Sequence, residues 1–250
     1  MAGKRREPRR RSDSRGSDVA KLSQLMRYYL AVFGKRSTAI VALLALLLSS
    51  VAVARKRHPQ TESTAESFDY YVLSLSWAPT YCADHPNDNS TECRPSQHKA
   101  FVLHGLWPQS QSGAPPENCG NASPVSQQIV RRMLTYFPSA GLIQHEWAKH
   151  GTCSGLPAND YFAKAEEAFK AVEVPETYKT LSQQQSLAPR DIESSFARAN
   201  HTSENAFRIS CHNGELVGVE VCMSKGLQFQ ACSHSVRDCL AGQVKVPPPR

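Results

Sequence analysis

Hydrophobic and polar positions alternate clearly in only a few stretches of the chain. Residues 68–77, FDYYVLSLSW, set Leu73, Leu75 and Trp77 against Val72, Ser74 and Ser76, the period-two signature of a strand. Residues 100–105, AFVLHG, form a short apolar strand that ends on a histidine. Near the C-terminus, 215–222 (ELVGVEVC) is β-branched and strand-like, 207–211 (FRISC) pairs beside it, and 228–232 (QFQAC) is a further candidate strand. Three segments carry a helical period instead. Ser123-Pro124 places an N-cap and a proline before SQQIVRRMLTYF, with Ile129, Met133 and Phe137 on one stripe. Asn159 or Asp160 caps YFAKAEEAFKAV, where Phe162, Ala165, Phe169 and Val172 share a face. Pro189 opens RDIESSFARAN, with Ile192, Phe196 and Ala199 in register. Strands first, helices in the middle and strands last predict an α+β fold in one domain, not alternating βαβ units. The Pro-rich end, 241–250, reads as a mobile tail.

A longer apolar run precedes all of this. Thr38 to Ala54 is uncharged, follows Lys35-Arg36 and ends in Ala52-Val53-Ala54, the three parts of a secretory signal cleaved after Ala54. Arg55-Lys56-Arg57 leaves an uncleaved anchor as the alternative. Residues 1–25 are rich in Arg, Ser and Asp, so the expected translation start is Met26 within a leader spanning 1–54. Residues 55–67 read as a flexible lead-in to a domain over 68–240.

Charge changes meaning once it is located. The chain carries a formal +7, which suggests a nucleic-acid binder. Residues 1–57, however, hold 14 of the 29 Lys/Arg and 3 of the 22 Asp/Glu, which leaves 15 and 19 for the rest. The body is mildly acidic, so nucleic-acid recognition there has to be local. The eight cysteines all follow residue 80 and form no Cys-x-x-Cys pair. With the leader, they argue for disulfides in an oxidising compartment, secreted or periplasmic, with the pairing open. Asn89, Asn121 and Asn200 head glycosylation sequons, meaningful only in a eukaryotic secretory pathway and otherwise chance occurrences.

The chemistry concentrates in two segments, FVLHGLWPQ (101–109) and HEWAKHGTC (145–153). Placed on a helix with His145 at zero, Lys149 falls at about 40°, Glu146 at about 100° and His150 at about 140°, so four titratable groups share one arc. Trp147 and Ala148 point to the other face, Gly151 ends the helix, and Cys153 can pin it. A solvated polar face is the plain alternative. A metal site built from His104, Glu146 and His150 is the sharper one, although Lys149 would repel a divalent cation. Two histidines with a carboxylate and an ammonium suit internal phosphoryl transfer in RNA. One imidazole takes the 2′-hydroxyl proton, another protonates the leaving 5′-oxygen, and Lys149 stabilises the phosphorane. DNA, lacking the 2′-hydroxyl, would be inert.

On HGLWPQ (104–109), HEWAKHGTC (145–153), SWAPTYC (76–82) and the RISC…VEVC…AC pattern (208–232), the chain resembles the ribonuclease T2 family over roughly residues 68–240. The resemblance implies a central antiparallel sheet with packed helices and a secreted endoribonuclease that needs no metal or cofactor. It would cleave single-stranded RNA through a 2′,3′-cyclic phosphate with little base preference. It implies His104 as general acid, His150 as general base, Glu146 and Lys149 as stabilisers of the phosphorane, His145 as a phosphate ligand and Trp107 as a base-binding wall, with Tyr81 or Trp77 as further stacking surfaces. It also implies the pairs Cys119–Cys153, Cys222–Cys232 and Cys211–Cys239, which leaves Cys82 with Cys93. RNA is the expected partner, with no lasting membrane association after signal cleavage and a monomer as the default. A metal-dependent phosphoesterase and a non-catalytic RNA-binding relative remain the competing readings.

Overall fold

The computed structural model describes residues 68–249. The leader, the Met26 start, the Ala54 cleavage site and the lead-in lie outside the described residues. β1 (Tyr70–Trp77) pairs antiparallel with β2 (Phe101–Gln109) on one side and with β5 (Glu215–Met223) on the other. β4 (Phe207–His212) forms a hairpin with β5. At the far end β6 (Val244–Val246) meets β5 in parallel at Lys245 and pairs antiparallel with β3 (Gln185–Leu187). The result is a six-stranded, largely antiparallel sheet.

The alternation along β1 explains the two faces of that sheet. Tyr71, Leu73, Leu75 and Trp77 enter the main core. There they meet Ile143 of α3 (Ala140–Lys149), Tyr161, Phe162, Ala165 and Ala168 of α4 (Ala158–Ala171), and Ile192 and Phe196 of α6 (Pro189–Ala199). Truncating such a side chain to alanine costs about 2–5 kcal/mol. The opposite face is polar, with Ser74 and Ser76, except where Tyr70 and Val72 pack with Cys222 and Trp107 in a second small cluster.

The sheet carries one irregularity that matters for function. Ser74 pairs with Gly105 and Leu75 with Leu103, so His104 is an extra, unpaired residue in β2. Such a bulge re-aims the side chains around it. Leu103 and Leu106 both enter the core, while His104 and Trp107 share the polar face. Strict alternation would have put those two on opposite faces.

Several sequence expectations need correction. The helix expected from Ser123-Pro124 is α2 (Gln127–Met133), capped by Ser126. Val125 stays outside the helix, its backbone exchanging two hydrogen bonds with the Gln144 side chain. α4 starts at Ala158, after Pro157, and not at an Asn159 or Asp160 cap. Residues 78–84, not expected to be helical, form α1 (Ala78–Asp84) with proline in its first turn, and a short α5 (Glu176–Lys179) precedes β3. The candidate strand at 228–232 is reduced to one bridge, Phe229 with Met223, because the chain turns at Leu227 (φ 64°) and the Cys222–Cys232 disulfide draws it back. The tail is not mobile throughout. Val244 and Val246 are buried as part of β6, and Pro247 O accepts from Trp77 Nε1.

All eight cysteines are bonded: Cys82–Cys93, Cys119–Cys153, Cys211–Cys239 and Cys222–Cys232. Among the described residues no helix is long and apolar enough to cross a membrane. Of the sequon asparagines, Asn200 is engaged through its amide, accepting from Glu173 N and donating to Glu173 O and Phe196 O.

Candidate active site

His104, Trp107, His145, Glu146, Lys149 and His150 all line one cavity of about 420 Å³ on the polar face of the sheet. β2 supplies the first two, and α3 with its C-cap supplies the rest. Ser139 caps α3, its side chain accepting from Leu142 N. The last turn closes with His150 N donating to Glu146 O at 3.0 Å. Gly151 then begins a 3-10 turn (Gly151–Ser154), and its missing side chain makes room, since a β-carbon there would strike the Trp147 and Tyr161 rings. The left-handed residue that ends this segment is Gly155 (φ 72°), not Gly151.

Glu146 was placed on a polar arc, yet it is fully buried. It lies over Gly105, where any β-carbon would collide with Glu146 Oε2 and Trp107 Nε1. Trp107 Nε1 donates to Glu146 Oε2 at 2.7 Å. The other oxygen, Oε1, has no hydrogen-bond partner and stands 3.5 Å from His104 Nε2. Burial is the main cause that raises the Glu146 carboxyl to about 7, against the lowering effects of Trp107 and Lys149. His104 is hydrogen-bonded through Nδ1 to Ser76 Oγ at 2.9 Å. Burial, then the positive charges of His145 and Lys149, lowers it to about 4. His150 is buried, its Nδ1 has no partner, and its ring stacks on Trp107 at 5.1 Å. Burial again comes first, then Lys149, His145 and His104, in lowering it to about 3.

Trp107 therefore braces the site as well as lining it. It fixes the carboxyl through its N–H, stacks on one imidazole and meets the other edge-on at 5.6 Å. Trp77, a candidate stacking surface in the sequence, is instead sealed in the core against Phe101 and Tyr178. Among the described residues no group of three or more His, Cys, Asp or Glu is arranged to hold a metal ion.

Glu117, Glu220 and Arg237, which carry charge into this cavity, and Ser76, which holds His104, are not among the sequence candidates. Ser76 was legible, since it lies on the polar side of β1 at the end nearest His104. Glu117, Glu220 and Arg237 carry no local signal, because long-range folding brings them to the cavity. Ser74 Oγ donates to Glu220 Oε1 at 3.1 Å, while Glu220 Oε2 has no partner. Glu117 Oε1 lies 3.3 Å from Lys149 Nζ.

His104 also forms a wall of a second cavity, about 370 Å³, with Tyr81, His85 and Leu142 among its lining. Three buried polar atoms there, Thr80 Oγ1, Ser90 Oγ and Glu92 Oε2, have no partner. Tyr81 stacks on His85 at 4.2 Å and donates to Asp88 Oδ2. Buried polar groups ordinarily find partners, so clusters of unpartnered ones mark places where a ligand or water completes them.

Residues 68–232 match the model of the ribonuclease T2 family. The chain is 40% identical over 139 residues to a ribonuclease of Aeromonas hydrophila, covering 54% of this chain and 60% of that protein. It is 34% identical over 120 residues to a probable ribonuclease of Haemophilus influenzae, covering 43% and 44%. The matches thus span about half the length of these two relatives. In structure it is similar to RNase NT solved in complex with 5′-AMP, with a TM-score of 0.59 at 24% identity, covering 73% of this chain and 100% of that one.

Proposed function

Since the chain belongs to the ribonuclease T2 family, we propose that it is a secreted endoribonuclease that cleaves single-stranded RNA by internal transphosphorylation. The observation that carries this reading is the pair of imidazoles, His104 and His150, both packed against Trp107 in one cavity with a buried carboxyl and an ammonium. No protein nucleophile is needed, because RNA brings its own.

In the first step the ribose O2′ bonds to the adjacent phosphorus while His150 accepts the O2′ proton. The bond from phosphorus to O5′ breaks, and His104 Nε2 gives that oxygen a proton. The products are a 2′,3′-cyclic phosphate and a free 5′-hydroxyl. In the second step His104 takes a proton from water, the water oxygen bonds to phosphorus, the bond from phosphorus to O2′ breaks, and His150 returns a proton to O2′, leaving a 3′-phosphate. Lys149 and His145, on the same cavity, stabilise the charge that develops on the phosphorane, and Glu146 supplies the proton that His104 delivers.

The acid has to be charged when the phosphodiester arrives. His104 and Glu146, 3.5 Å apart, hold one proton between them at mildly acidic pH, and burial places it on the carboxyl. An entering phosphate anion favours the imidazolium and draws that proton to Nε2. The cavities on the two sides of His104 accommodate the nucleosides on the two sides of the scissile phosphate. Stacking on aromatic faces supports weak base preference. The signal-like leader and the bonded cysteines support secretion.

The test is the rate of RNA cleavage in EDTA for the wild type, His104→Ala and His150→Ala. Full wild-type activity in chelator, with each variant slower by about 10²–10⁴-fold, is expected. Loss of activity in EDTA restored by zinc supports the metal-dependent reading, and near-normal cleavage by both variants removes the acid–base assignment.

A further inference from the structure

Among the described residues Glu117 is the acidic side chain that forms an ion pair with Lys149, the cation proposed to meet the phosphate, and the chain around it is fixed by three anchors. Asn118 N donates to Lys149 O at 2.7 Å, Cys119 is bonded to Cys153, and Cys119 N donates to Thr152 Oγ1. Asn118 itself sits in the left-handed region (φ 56°), a conformation asparagine tolerates better than most residues. The carboxylate is thus held at the mouth of the cavity, half-exposed, 3.3 Å from Lys149 Nζ. The other charged or titratable groups on that cavity are His145, Glu146 and His150 on the helix segment, His104 on β2, Glu220 on β5 and Arg237.

A phosphate that reaches Lys149 must displace or share Glu117. We propose that Glu117 makes the site selective by charge: it disfavours phosphomonoester dianions relative to phosphodiester monoanions, so that a 3′-nucleotide leaves once it has formed. This rests on the reading of the site as a ribonuclease centre. For a phosphate bound at Lys149, taking roughly 6 Å between its charge and that of Glu117, the carboxylate changes a dissociation constant by roughly threefold per unit of ligand charge at the dielectric of water, and more at lower dielectric. A diester carries one such charge. A monoester carries nearly two above its second pKa of about 6, so the effect is compounded to roughly tenfold.

The experiment compares Glu117→Gln with wild type, measuring KM for a dinucleoside phosphodiester and Ki for a 3′-nucleotide and for inorganic phosphate. At pH about 7.5, the proposal predicts that KM falls roughly threefold and both Ki values roughly tenfold. At pH about 5, where the monoester carries one charge, KM and Ki fall by the same factor. Glu117→Asp, which keeps the charge, retains the wild-type ratio of Ki to KM. Equal changes in KM and Ki at the higher pH, or no change in either, overturn the proposal. The two readings separate cleanly: if wild type cleaves RNA and the Gln variant shows no altered ratio, charge selectivity alone fails. If wild type leaves RNA intact, the ribonuclease reading fails and takes the proposal with it.

Discussion

Replacing Glu146 by glutamine should make the protein more stable and less active. The side chain is fully buried over Gly105, accepts one hydrogen bond from Trp107 and leaves Oε1 unpartnered. Its pKa stands near 7 in the fold against 4.5 as an ordinary carboxyl. A carboxyl whose pKa is raised on folding contributes most favourably below the unfolded value, and that contribution is lost as pH climbs through the folded value. At pH about 8, ionised Glu146 therefore costs the fold on the order of 3 kcal/mol, at about 1.4 kcal/mol for each tenfold in proton affinity. Glutamine keeps the shape and can keep the Trp107 bond without ever ionising. Urea unfolding of both proteins across pH 4–8 tests this. The variant should match wild type near pH about 4 and exceed it increasingly above, by up to a few kcal/mol. Its cleavage rate should fall by about 10²–10³-fold, because His104 loses its proton partner. A pH-independent difference, or a variant less stable than wild type at pH 8, would refute the picture of a buried carboxyl held neutral beside a neutral imidazole.

Other consequences follow from the same geometry. Gly105→Ala places a methyl group against Glu146 Oε2 and Trp107 Nε1, so it should cost activity far out of proportion to its size, read as kcat together with the Trp107 environment in fluorescence. Removing the Cys119–Cys153 bridge as a double alanine variant should lower stability by about 3–4 kcal/mol in the chain-entropy account, measurable by denaturant unfolding, and should also loosen Glu117. Because the body of the chain is mildly acidic, the slope of log affinity for RNA against log salt should be shallow, a few counterions at most, whereas a steep slope would indicate a broad basic track missing from this account.

Three strands were legible: β1 from its period-two pattern, β5 from its β-branched run, and β4 as the segment pairing beside β5. The four groups of the helical arc at residues 145–150 all line one cavity. What periodicity could not show was the bulge at His104, because a bulge is a break in period and its effect is to place His104 and Trp107 on the same face. Nor could it show that Glu146 is buried, since only the approach of β2, with glycine at 105, covers that carboxyl. Glu117, Glu220 and Arg237 reach the site through loops and strand pairings distant in sequence. The C-terminal Val-Lys-Val, read as part of a mobile tail, is a three-residue strand whose partners β3 and β5 are distant in sequence.

The central claim is that the reaction uses the substrate's own 2′-hydroxyl between two imidazoles. The most direct measurement is end-group analysis of products from RNA and from DNA of the same sequence, incubated with the protein in EDTA. The account predicts 2′,3′-cyclic phosphates that give way to 3′-phosphates on RNA, free 5′-hydroxyls on the other fragment, and intact DNA. Products with 5′-phosphates, or cleavage of the DNA, would contradict it.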